Sequence, residues 1–106
     1  MILTLKDNIM LERLKHPKTK EPLFQIILLD SRDLKPFTKI CSKAEAEEIY
    51  AEHTREKDDD SWYVKKGREQ ICRDGDYKCT SLIVNHKGWG SDYMKMVIME
   101  EAYIYV

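Results

Sequence analysis

Three cysteines and three histidines hold most of the chemical potential of this 106-residue chain. Cys72, Cys79 and His86 recur every seven residues, whereas zinc sites draw on tight pairs of the Cys-x-x-Cys kind. Along a hairpin, seven steps put Cys72 and Cys79 on opposite strands, two positions out of direct register. They read as small half-buried sheet residues, and no metal site is expected. Cys41 is the best-placed nucleophile, because it directly precedes a helix start, where the helix dipole favours thiolate. Its base is missing, since His53 lies at the far end of that helix, about 16 Å away at 1.5 Å per residue. A buried strand-end cysteine is the simpler reading. The run His86-Lys87-Gly88-Trp89-Gly90-Ser91 has the glycines and lysine of a phosphate loop but lacks its strand-to-helix setting. These patterns describe a non-enzymatic chain that needs no cofactor.

Charge is more informative. The chain holds 18 basic and 19 acidic side chains, yet residues 45–60 alone contain eight acids and two bases. Glu45, Glu48, Glu52 and Glu56 follow a spacing of 0, 3, 7 and 11, which on a helix is one face. Like charges so placed each cost a helix roughly 0.2–0.5 kcal/mol. Glu45 is excused by its position in the first turn, and the later three are not. Asp58, Asp59 and Asp60 extend the negative field, without the spaced D-x-D-x-D-G pattern of a calcium loop. An acidic face of this kind suits docking on a basic partner surface, where it would steer association. Trp89 between two glycines, with Tyr103 and Tyr105 near the C-terminus, could serve as aromatic anchors.

A second reading uses the basic residues. Lys15, Lys18 and Lys20 cluster around a turn bracketed by Pro17 and Pro22, and Lys65 lies beside Trp62 and Tyr63. With Tyr77, these could hold a single nucleic-acid strand by charge and stacking. A sequence pI near 6.3 makes such binding weak at physiological salt.

The elements that must position these residues can be read from the pattern. Leu23 to Leu29 is a short apolar run between Pro22 and Asp30, which favours a buried strand. Residues 9–15 fit a strand or a short helix, and the proline-bracketed turn that follows favours the strand. Residues 37–41 read as another strand. Ser42-Lys43-Ala44-Glu45 is a capping box that opens a helix over about residues 43–56. Ala46, Ile49, Tyr50 and His53 form its inward stripe. Asp74-Gly75 predicts a two-residue hairpin turn that pairs Cys72 with Tyr77, Ile71 with Lys78 and Gln70 with Cys79. Extended further, this register sets Val64 against Asn85 and Lys66 against Ile83, provided Gly67 forms no bulge. Residues 93–106 are apolar on both parities, as befits a central strand or an interface, and Glu100-Glu101 suggests a bend.

The sum is a single α+β domain over residues 1–106, a mostly antiparallel sheet of about five to six strands with one main helix packed on it. No apolar run reaches the length of a signal peptide or membrane span. Three cysteines in a chain this short suit a reducing, cytoplasmic setting. The layout is similar in style to the small accessory proteins with which phages and mobile elements inhibit host machinery. The sequence therefore predicts a protein-binding module with a basic partner. Were its last strand at a sheet edge, that strand could also pair across a two-fold axis to make a homodimer. Weak single-strand nucleic-acid binding is the alternative.

Overall fold

The computed structural model describes residues 2–4, 10–88 and 90–105. In chain order the elements are β1 (Ile2–Thr4), β2 (Met10–Arg13), β3 (Phe24–Asp30), β4 (Phe37–Cys41), α1 (Lys43–His53), β5 (Lys57–Asp58), β6 (Trp62–Cys72), β7 (Tyr77–His86), β8 (Asp92–Glu101) and β9 (Tyr103–Tyr105). Hydrogen bonding sorts the strands into two sheets. One has six strands in the order β4-β3-β8-β7-β6-β5, the other three in the order β1-β2-β9. Every neighbouring pair is antiparallel. The α+β class and the single helix packed on a sheet are those read from the sequence.

Side chains alternate across a strand, so register decides which residues share a face. Phe24, Ile26 and Leu28 of β3 pair with Glu101, Met99 and Val97 of β8; Thr80, Leu82 and Val84 of β7 lie on the same side. Against this side α1 lays Ala46, Ile49 and Tyr50, closing a core with Cys41, Leu82, Val97 and Met99. The expected inward stripe of the helix is the one observed, with Ala46 and Tyr50 buried and Ile49 and His53 half-buried.

A polar chain runs through this core. Thr80 is fully buried and donates its hydroxyl hydrogen to Glu69 Oε2 (3.2 Å). Its oxygen is thereby left to accept from the Tyr50 hydroxyl. The helix is thus pinned to the sheet by a bond with one direction, as well as by apolar contact.

Three differences from the sequence reading have local causes. The helix stops at His53, short of residue 56: Thr54 closes the last helical bond, its amide (3.0 Å) and its hydroxyl (2.8 Å) both donating to the Tyr50 carbonyl, and its backbone then leaves the helical region (φ −106°, ψ 7°). Glu56 therefore lies beyond the helix and off the carboxylate row. In the β6–β7 hairpin, Cys72, Ile71 and Gln70 pair as expected, but the connection spans residues 73–76 rather than two residues, with Arg73, Asp74 and Gly75 all at positive φ (53°, 54° and 90°). Between Lys66 and Glu69 the register then shifts, so Val64 meets Val84 and Lys66 meets Leu82. Gly67 sits at this bulge, where an added Cβ would approach the Ser81 hydroxyl to 2.9 Å. That hydroxyl accepts from the Arg68 amide (2.8 Å). Without the slip Val64 would point away from the helix; with it Val64 packs against the core.

The third difference concerns the C-terminal segment, which is two strands. β8 ends at Glu101, Ala102 is buried, and β9 joins the smaller sheet. At this junction the Leu14 amide donates to the Ala102 carbonyl (2.9 Å) and the Ala102 amide donates to the Leu23 carbonyl (3.1 Å). Arg13 bolts the two sheets together. Its guanidinium pairs with Glu101 (3.2 Å), donates to the Leu23 carbonyl (2.9 Å) and lies 4.6 Å from the Phe24 ring centroid.

Loss of the Thr80 hydroxyl leaves the buried Tyr50 hydroxyl without its acceptor, at a cost of about 1–3 kcal/mol. Thr80→Val is therefore expected to lower the urea midpoint more than Tyr50→Phe, which leaves the Thr80–Glu69 bond in place. Burial holds the Tyr50 hydroxyl above its ordinary value, so this group stabilises the fold below about pH 10 and less as pH rises past it. Urea midpoints between pH 8 and pH 11 should decline less steeply in Tyr50→Phe. Tyr77 and Tyr103, also raised, keep part of the slope.

Candidate functional site: an acidic helix and an open sheet face

The helix begins as its sequence dictates, with the Ser42 hydroxyl accepting from the Glu45 amide (3.2 Å). The Glu45 carboxylate pairs with Lys39 on β4 (2.5 Å). Glu48 and Glu52 point to solvent and, among the described residues, make no ion pair. Glu52 stands next to the last residue of the helix, where the exposed carbonyl ends already carry negative character.

The remaining acids of the expected patch are occupied locally. Glu56 accepts from the Lys66 amide (3.3 Å). Asp58 pairs with Lys87 (2.6 Å), tying β5 to the end of β7. Asp59 caps the turn before β6, accepting from the amides of Ser61 (2.8 Å) and Trp62 (2.7 Å), with Lys57 at 3.1 Å. Those two amides, and then Lys57, hold its carboxyl down to about 2. Asp58 and Asp59 thus shape the β5–β6 turn.

Of the aromatic residues, Trp89 lies outside the described residues. Tyr103 donates its hydroxyl to Glu101 (2.7 Å), part of the bolt around Arg13. Tyr105 is open to solvent on β9, which does stand at the edge of its sheet.

The basic residues of the nucleic-acid reading are not gathered into one patch. Lys15, Lys18 and Lys20 are exposed around the turn that precedes β3, closed by the Lys15–Pro22 bridge. Lys65 lies three strands across the sheet and, by register, roughly 20 Å further along the strands. Trp62 and Tyr63, as neighbours on one strand, point to opposite faces.

The thiols are equally dispersed. Cys41 is buried, and burial, reinforced by Glu45, pushes its thiol up, away from the reactive thiolate. Cys72 and Cys79 stand two positions out of register on paired strands, as expected, while His86 pairs with Trp62 at the other end of β6. Among the described residues no group of three or more His, Cys, Asp or Glu is arranged to hold a metal ion.

One surface escaped the residue-by-residue reading. On the face of the large sheet away from α1, register gathers Ile40 from β4, Ile27 and Leu29 from β3, Met94, Met96 and Ile98 from β8, and Ile83 from β7. Leu29, Ile40, Ile83, Met94 and Met96 are exposed at 37, 52, 41, 57 and 37%. An apolar trough of about 240 Å³ runs past Leu29, Met94 and Met96. Charge lies at the margins, in Lys65, Asp92 and Glu100. The signal for this face was present in the two-sided apolarity of the last segment, but only the sheet order shows that β3 and β7 continue it.

Comparison with known protein families, curated proteins and solved structures gives no match. No described helix is long and apolar enough to cross a membrane.

The Asp59 arrangement makes a direct prediction. Its stabilising contribution is full above the unfolded value near 3.9 and is lost as pH falls through about 2. Carboxyl-carbon NMR titration should give Asp59 a midpoint of about 2. Replacing Lys57 with methionine should raise that midpoint only in part, because the two amides contribute more.

Proposed function

We propose that the chain is a non-enzymatic protein-binding module that meets a partner with a basic surface through the outer face of α1. The observation that carries this reading is the pair Glu48 and Glu52. They are exposed and unpaired among the described residues, on a surface where Glu45, Asp58 and Asp59 all have cations. Four glutamates against one lysine in an 11-residue helix repel one another. Glu52 also opposes the helix dipole. Neither carboxylate is engaged in an ion pair within the fold, which leaves both available for an external contact.

Carboxylates so placed act first on encounter. Steering by a local field raises the association rate and is screened by salt, whereas the final affinity rests on buried contacts at the interface. Glu48 and Glu52 are accordingly the primary contacts, with Glu56, Asp58 and Asp59 contributing only to the longer-range field. The paired acids and the bonded Tyr103 hydroxyl are committed to the fold, so the contact is centred on the helix.

The test separates recognition from stability. Glu48→Lys with Glu52→Lys should raise the thermal midpoint by a few degrees: the repulsion between the two positions persists with its sign changed, but a lysine at position 48 attracts Glu45 and one at position 52 suits the helix C-terminus, together about 0.5–1 kcal/mol. The same pair should slow capture of a basic protein partner several-fold at low salt, with the difference shrinking as salt rises. Faster or unchanged capture, together with the higher midpoint, would sink the docking reading while leaving the helix physics intact.

A further inference from the structure

We infer that the open face of the six-stranded sheet is the interface of a homodimer in which two copies stack face to face. The inference concerns the side of the sheet opposite α1 and stands independently of the acidic-helix reading.

Extent is the first argument. Five strands about 4.8 Å apart, and the rows from Asp92 to Glu100 along β8, span roughly 24 by 27 Å. Because β3 and β4 cover only the rows from Lys95 and Val97 onward, two such faces amount to about 1,000 Å² of plan area, the size at which specific interfaces begin.

Composition points to a second copy as the occupant. Ile27, Leu29, Ile40, Ile83, Met94, Met96 and Ile98 form a centre without charge, like a domain core cut in half, which is the character of homodimer interfaces. A surface that selects a different chain carries a charge code across its contact, and here Lys65, Asp92 and Glu100 stand only at the rim. The net charge of −1 per chain sets up little repulsion between copies. The two methionines are unbranched and adapt to a twin surface.

Geometry agrees with this. Two twisted sheets stack about 10 Å apart with their strands near −30° to each other, interdigitating residues of this size. Each copy of α1 then lies on the outside, so Glu48 and Glu52 remain in water. The dimer would present two acidic helices on opposite faces. The contact is the stacked face itself, in contrast to the edge-pairing expected from sequence.

Sedimentation velocity of the intact chain tests this. At tens of micromolar the mass should be twice 12.6 kDa and should fall towards the monomer on dilution. Met94→Asp with Met96→Asp puts four carboxylates into the stacked interface and should weaken the dimer by about a hundredfold or more. These side chains are exposed in the single chain, so far-UV circular dichroism should be unchanged. Glu48→Lys with Glu52→Lys should leave the dimer intact, and Ile83→Lys, at the patch margin, should weaken it less than the methionine pair. A wild-type mass of 12.6 kDa at every concentration would overturn the inference. So would a dimer that survives the methionine substitutions and Ile83→Lys.

Discussion

Eleven residues of helix, about 16 Å long, lie across a sheet six strands wide. This coverage is the constraint on which the rest of the structure depends. Where α1 reaches, the sheet is dry: Ile26, Leu82, Val97 and Met99 are sealed beneath Ala46 and Tyr50, and the Tyr50–Thr80–Glu69 chain fixes the helix in place. On the opposite face the same strands carry apolar side chains that no described helix covers. β8 expresses both halves of this arrangement, with Val97 and Met99 buried and Met94 and Met96 in water. A sheet burying only one side normally alternates apolar with polar residues, and this one departs from that rule at its centre.

Charge follows a related division of labour. Most ionic groups near the turns are used to hold segments together. Lys87 and Asp58 join β7 to β5, Lys43 reaches Asp76 beside the hairpin turn, and Arg13 with Glu101 joins the two sheets. Exposed pairs of this kind contribute little each. The Arg13–Glu101 pair is largely shielded from solvent and surrounded by the Phe24 and Tyr103 rings, so its loss would strand a charge. Against that background Glu48 and Glu52 are conspicuous because they stabilise nothing nearby.

Much of the fold was legible because local chemistry decided it. Ser42 starts the helix, Pro22 and Asp30 bound β3, and Asp74-Gly75 sets the near end of the β6–β7 ladder. What was not legible depended on contacts between distant residues. The helix ends where buried Thr54 leaves helical geometry, and the slip at Gly67 is associated with a hydroxyl on the neighbouring strand. The acidic row looked longer in the sequence because helical spacing cannot show that Glu56 has already left the helix. Tyr103 resembled a free anchor until Glu101 took its hydroxyl. The open face required the sheet order itself, since it is assembled from four strands that are scattered along the chain.

That sheet order also bears on how the chain reaches its native state. β6, β7 and β8 follow one another as a meander and can pair by closing short turns. β3 and its hairpin partner β4 must then find β8, joining Ile27 to Ile98 across roughly seventy residues. The seam between β3 and β8 is therefore the entropically slow step, and the helix, strung between β4 and β5, cannot seal the core until that seam closes. Before closure, the flank of β8 that β3 will occupy is bare, which makes the unzipped β3–β8 seam the place where an incompletely folded chain is most exposed to mispairing.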